Sequence, residues 1–281
     1  MSYKILILGD ICGKPGRQVV AKYLNQNKNK YDLIIANIEN AASGFGISKS
    51  VYEKLNSLGI HVFTSGNHIW DRKEVFEIID KENLLRPLNY VKSPGKGYFF
   101  SKINGKKIFV ANVLGKVFMD VPINPFLVLE DILKLKEFQE ADIKLIDIHA
   151  EATSEKEALG YFLSGKFDVI YGTHTHVQTN DVKIINRSLY ISDVGKCGAY
   201  HSVIGMSIYA AIYRLSTSMP ARFTVPEKEN ILVLNGLEVD FNNKVVGYNL
   251  LNLVYLKDKD IFMPLDEYNK KILEGKVIWK K

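Results

Sequence analysis

An α/β sandwich with a largely parallel or mixed sheet is predicted for this 281-residue chain, and three observations predict it. Short apolar runs rich in β-branched residues alternate with amphipathic stretches of helical period. The runs are bounded by Gly, Asn and Asp, residues that stop strands and open turns. Strand–helix alternation of this kind buries a sheet beneath helices. A single domain over 1–281 is the simplest organisation, because no low-complexity linker and no internal repeat breaks the pattern.

The elements follow in order. YKILIL (3–8) is the first strand, and GRQVVAKYLNQN (16–27) has the period of a helix. DLIIANI (32–38) is the second strand. SVYEKLNSLG (50–59) reads as a helix that opens on a capping box, Ser50 with Glu53, and closes on Gly59. HVFTS (61–65) is the third strand. Residues 90–106 read as a loop and hairpin turning at Asn104-Gly105, next to the strand KIFVANV (107–113). IKLIDI (143–148), FDVIYG (167–172) and SLYISD (188–193) are further strands. Between the first two lies SEKEALGYFLSG (154–165), a helix with Ser154 and Glu157 at its start and Gly165 at its end. Residues 230–257 alternate apolar and polar around an Asn-Asn turn, the pattern of antiparallel strands finishing the sheet.

Composition narrows the class. Apolar residues make up 47% and charged residues 24%, ordinary for a globular protein. No apolar run reaches the length of a membrane span, and the N-terminus ends its short apolar run in Gly-Asp, unlike a signal peptide. Two cysteines, Cys12 and Cys197, make no disulfide framework, so a reducing cytoplasm is the expected compartment. The net charge of +6 suits anionic substrates such as phosphate esters. The basic residues are scattered, which argues against a stable nucleic-acid partner.

The polar residues carry the chemistry. Strand one ends in Asp10, strand two in Glu39-Asn40, and strand three runs into Gly66-Asn67-His68. The strand at 143–148 ends in His149, with Glu151 beyond it. The strand at 167–172 ends in His174 and His176, and another ends in Asp193. A His-x-His pair is also what two ordinary residues on one face of a strand look like, and each cluster alone has such a bland reading. Four of the six histidines share the pattern, however, and strand carboxyl ends form the ligand crevice of open α/β sheets. His61 and His201 do not share it. Oxygen and nitrogen donors without a thiolate pair exclude an iron–sulfur cluster and a Cys-type zinc site, and suit Mn, Fe or Zn. The donors are too many for one tetrahedral ion. Two ions bridged by Glu39, roughly 3.5–4 Å apart, would use them in an in-line phosphoryl displacement.

Seven stretches, GDICGKPGR, NIENAASGFGIS, SGNHIWDRKE, LLRPLNY, DIHAEATSEKEALG, GTHTHVQTND and ISDVGKCG, span positions 9 to 198, about two-thirds of the chain. Together they resemble the calcineurin-like metallophosphoesterases, and most closely their YmdB-like bacterial branch. The resemblance implies a four-layered α/β/β/α sandwich with mixed sheets and a binuclear site of two transition-metal ions, Fe or Mn ahead of Zn. It implies that Asp10, Glu39, Asn40 and His176 hold one metal, with Glu39 bridging to a second held by Asn67, His149 and His174. His68 would be the general acid, since Asn67 and His68 on an extended segment point opposite ways. Cys12 stands where the superfamily usually has a His, and Asn40 takes over. Ile38 and Lys196 depart from common branch residues near the site. The implied activity is phosphodiester hydrolysis, with 2′,3′-cyclic nucleotides as the leading substrate class, by attack of a metal-held hydroxide. Lys14 and Arg17, which could touch phosphate, read better as solvated charges. A homo-oligomer is expected. The rival readings are a phosphoprotein phosphatase or nuclease on the same core, and a metal- or nucleotide-binding regulator.

Overall fold

The structure is a computed structural model, and it describes residues 2–121 and 123–274. The single-domain expectation therefore extends over Met1, Pro122 and 275–281, which lie outside the described residues. β1 (Tyr3–Leu8) passes through the two-residue β2 (Asp10–Ile11) into α1 (Gly13–Asn27). β3 (Leu33–Asn37), α2 (Lys49–Asn56) and β4 (Val62–Thr64) follow, then 3₁₀ turns at Asn67–Trp70 and Lys73–Glu77. β5 (Tyr98–Ile103) and β6 (Lys106–Leu114) form the hairpin, with Asn104 and Gly105 both at positive φ in its turn. Next come α3 (Pro125–Ile132), α4 (Lys136–Glu140), β7 (Ile143–His149), α5 (Thr153–Leu163) and β8 (Val169–Thr173). The chain continues through β9 (Lys183–Ile185), β10 (Ser188–Ile191), β11 (Lys196–Ala199) and α6 (Ile208–Thr217). It closes with β12 (Ile231–Phe241), β13 (Val245–Leu256), β14 (Ile261–Pro264) and α7 (Leu265–Leu273).

Two mixed sheets result. The first runs β14-β13-β12-β1-β3-β4, with β11 joining both β12 and β2. Its β1, β3 and β4 are parallel, and β12 and β13 are antiparallel. The second runs β5-β6-β7-β8-β10-β9, parallel through its centre with antiparallel edges. Side chains alternate across each strand, and the two faces of each sheet meet different partners. Ile5, Ile7 and Ile35 of the first sheet pack with Val110, Leu145 and Val169 of the second, all fully buried. Leu6, Leu8 and Ile34 turn the other way, onto Val19, Val20 and Leu55 of the helices. Phe109, Ile146 and Ile170 pack outward beneath Leu129, Phe138 and Leu159 of α3, α4 and α5. Each such side chain, fully buried, contributes about 1.5–3 kcal/mol. The layers are therefore α/β/β/α, as the resemblance implied.

Both capping boxes are corrected. α2 begins one residue earlier, behind Ser48, and no side chain caps it. α5 starts behind Ala152, whose side chain has no acceptor to cap it, and Glu157, inside the helix, pairs with Lys183 instead. The ends hold: Gly59 and Gly165 adopt the positive φ that stops a helix.

Candidate metal centre

The parallel strands of both sheets deliver their carboxyl ends to one place. Asp10 follows β1, Glu39 and Asn40 follow β3, and the Asn67–Trp70 turn follows β4. From the second sheet come His149, the last residue of β7, and His174 and His176, just past β8. Gly66 lets the sheets close together. A Cβ placed there would lie 2.2 Å from His149 Nε2 and 2.3 Å from Glu39 Oε2, so only glycine fits.

The contacts are tight. Glu39 Oε1 lies 3.0 Å from His149 Nε2, and His174 Nδ1 lies 3.0 Å from the same nitrogen. Glu39, His149 and His174 offer donor atoms within 4.8 Å of one another. Asn40 Oδ1 lies 3.1 Å from His176 Nε2, and Asp10 Oδ1 lies 4.0 Å from both His176 Nε2 and His149 Nδ1. The backbone N–H groups of His174 and His68 donate to Asp10 and Glu39 respectively.

Partners outside the cluster aim the lone pairs inward. His176 Nδ1 donates to the Ile204 carbonyl at 2.7 Å, so its Nε2 faces the Asn40 oxygen as an acceptor. The Asn40 amide is oriented by its own donation to the Gly44 carbonyl. The Thr173 hydroxyl donates to Asp147, so it accepts from His149 Nδ1 at 2.8 Å. His174 Nε2 points to Glu151, 3.0 Å away, which turns Nδ1 to His149. At His176 and Asn40 acceptor therefore faces acceptor, and at His149 Nε2 the Glu39 oxygen and His174 Nδ1 need a proton or a cation between them. The same demand appears in the charges. Against the burial that disfavours its charge, Glu39, Asp10 and Asp147 hold the His149 imidazolium up to about 9. Glu39 is buried too, yet His149 and His68 bring it down to about 2. Burial, with neighbouring carboxylates adding, pushes Asp10 well above the usual carboxylate range. Burial and the His149 charge press His174 down to about 3. Asp10 Oδ1 and Asn67 Oδ1 are buried without any hydrogen-bond partner. Orphaned acceptors of this kind call for an explanation, and metal ligation supplies one.

His174 and His176 lie just beyond β8, at the strand end where the sequence placed them, with φ of 100° and 64°. Two sequence expectations change. Asn67 and His68 sit in a 3₁₀ turn rather than an extended segment. Arg17 is no solvated charge: its half-buried guanidinium donates to the Ala41 carbonyl, and with Arg72, which donates to Ala42 and Phe45, it holds the loop after β3. Cys12 lies in a small apolar cluster with Met206 and Val225, and burial pushes its thiol up to about 12. Ile38 belongs to the core beneath the helices. His61 accepts a backbone hydrogen bond from Ile34, and His201 faces Glu229, both away from the cluster.

Other residues of the site carry little sequence signal. Asp71 lies 2.8 Å from His68 Nδ1. Asp147 accepts from Thr64, Thr173 and Asn37. Lys156 forms a buried ion pair at 2.9 Å with Asp193, the one member of this group that the sequence had already placed at a strand end. Only Asp71, three residues past His68, has a local spacing that could have exposed it. Beside the donors opens a cleft of about 580 Å³, reached by Glu39, Asn40, His68, His174 and His176 and walled opposite by apolar side chains.

A family model for YmdB-like protein matches residues 6–249. A 2′,3′-cyclic-nucleotide 2′-phosphodiesterase of Bacillus subtilis is 39% identical over 264 residues, covering 92% of this chain and 99% of that one. The crystal structure of a phosphatase from Mycoplasma pneumoniae superposes with a TM-score of 0.83 at 33% identity, over 98% of this chain and 99% of that one. That of a hypothetical protein from Thermus thermophilus gives 0.83 at 36% identity, over 90% and 99%.

Proposed function

The chain belongs to the YmdB-like family of the calcineurin-like metallophosphoesterases, and from that membership we propose that it hydrolyses small phosphodiesters, 2′,3′-cyclic nucleotides first among them. The observation that carries the reading is the facing of acceptor on acceptor in a buried cluster, beside an open cleft and a histidine left free to move a proton. In this reading Asp10, Glu39, Asn40 and His176 hold one cation. Asn67, His149 and His174 hold another, and Glu39 serves both. Fe or Mn suits this donor set ahead of Zn. When bound, the cations supply Lewis acidity, neutralising phosphate charge and lowering the pKa of water.

The chain's own residues do the rest. Asp71 accepts from His68 Nδ1, so a protonated His68 keeps Nε2–H for the substrate. Hydrolysis adds one water across the P–O bond to a ribose oxygen, and the departing alkoxide takes the His68 proton. Phe45 stands edge-on to the imidazole at 5.1 Å and limits its rotation. Among the residues lining the cleft, Arg214 is the one Lys or Arg. That supports a small substrate over a nucleic-acid strand. The two free, buried cysteines suit a reducing cytoplasm, the compartment this reading assigns. No helix among the described residues is long and apolar enough to cross a membrane, and the reading includes no membrane partner.

A substrate panel tests the reading. Turnover of 2′,3′-cyclic nucleotides above bis(p-nitrophenyl) phosphate and phosphopeptides is expected. Phosphopeptide preference would make the protein a phosphatase, and binding without turnover would make it a regulator. A homo-oligomer is part of the same proposal. The exposed Tyr209 and Ile212 on α6 are the surface it would use, and sedimentation velocity showing only monomer would remove it.

A further inference from the structure

The cleft has two unlike walls. One presents the donor cluster and His68. The other presents Met206, Leu215 and Phe223, with Arg214 at its lip. Leu215 is 79% exposed and Phe223 is half-buried, so this wall meets water directly. The Arg214 guanidinium lies 4.9 Å over the Phe223 ring. Phe45, the ring against His68, packs with Phe223 on the same cluster of Cys12, Met206 and Val225. The apolar surface is thus continuous with the proton donor. A phosphate or a sugar hydroxyl gains nothing from the apolar side chains of this wall, because its hydration would be lost there without replacement. A planar group with an apolar face, joined to the phosphoester, fits it. Phe and Arg together are a stacking platform for such rings.

We propose that Phe223 and Arg214, backed by Met206 and Leu215, form the subsite for the nucleobase of the substrate. The proposal rests on the phosphodiesterase reading and extends it. The phosphate end of the nucleotide meets the donor wall and His68, and the base lies on Phe223. This wall carries no amide or carboxylate that could read a base edge. Arg214 alone offers hydrogen bonds, and they are donors only. Discrimination among bases therefore follows stacking area, with adenine and guanine alike and both ahead of the pyrimidines.

The test compares kcat/KM for 2′,3′-cyclic AMP, 2′,3′-cyclic CMP and ribose 2,3-cyclic phosphate, which has no base. One stacked base is worth about 5- to 150-fold, so the wild type should prefer the AMP ester to the base-free ester within that range. In Phe223→Ala this preference should fall toward unity, chiefly through KM, and Phe223→Trp should restore it. Arg214→Gln, on an exposed helix where folding is not at risk, should lower it by a smaller factor. If the wild type handles the base-bearing and base-free esters equally, the subsite is overturned while the phosphodiesterase reading stands. If it turns over neither, both fall. A preference unchanged in Phe223→Ala and Arg214→Gln also overturns the subsite.

Discussion

His68 stands between neighbours of opposite character, the Asp71 carboxylate at Nδ1 and the edge of the Phe45 ring. The carboxylate takes Nδ1 and the ring limits rotation, which leaves Nε2 for the substrate and suits a proton donor better than a metal ligand. His68→Ala is therefore expected to keep its metals and to lose about 10²–10⁴-fold in turnover of a cyclic nucleotide. Bis(p-nitrophenyl) phosphate expels a stable nitrophenolate and should suffer far less. Equal losses on both esters, with falling metal content, would make His68 a ligand instead. Glu39 is different in kind, since its two oxygens face His149 and the His68 backbone amide. Glu39→Ala should lose both ions and activity together, read by metal analysis of the purified variant. Two tightly held ions in that variant would contradict the bridge. The donors were legible in the sequence because each stands at the end of a recognisable apolar strand. Thr173 and Asp147 were not, because their purpose appears only when neighbouring strands bring the hydroxyl to His149 Nδ1.

At the scale of elements, the loop after β8 has the most demanding support. Its Thr175 donates through both backbone and hydroxyl to Asp193, and Asp193 is paired with Lys156 of α5. Both members of the pair are almost wholly buried. Removing one partner from a buried pair costs about 3–5 kcal/mol, and here the cost falls on the segment that aims two histidines. Lys156→Met should lower Tm and weaken metal binding, with Lys156→Arg recovering part of both. Metal affinity unchanged in Lys156→Met would show that the pair serves the fold alone. The strands of both sheets could be read from their runs of Val, Ile and Leu, and the hairpin from Asn104-Gly105. The start of α5 could not: its N-cap is Ala152, so Ser154 and Glu157 lie inside the helix, where Glu157 answers to Lys183, a partner 26 residues away that no local spacing reveals. The short β2 and β11 escaped for a related reason: β2 is a strand only through its pairing with β11, and β11 only through β2 and β12.

Taken whole, the molecule gathers its proposed ligands from two sheets whose inner faces form one core. Cations at this seam would tie the sheets together, so their binding would add to folding stability, by about 2.7 kcal/mol at a hundredfold excess over Kd. Chelation should therefore abolish activity and lower Tm, and Mn or Fe should restore both with two ions per chain. One ion, or none, with full activity would end the binuclear assignment. An unchanged Tm after complete metal removal would show that the seam is held without them.

The backbone at His174 and His176 has a further consequence, for how this sequence can change. Positive φ disfavours a side chain with a Cβ, and sites held in such conformations carry a local cost. Glycine at either position would relieve the backbone and discard the imidazole in the same step. A library of variants selected only for folding should therefore drift at 174 and 176 toward Gly and Asn, whereas one selected for turnover should keep both histidines. Divergence of the two populations at these positions, measured by sequencing, would mark where selection on chemistry overrides selection on stability.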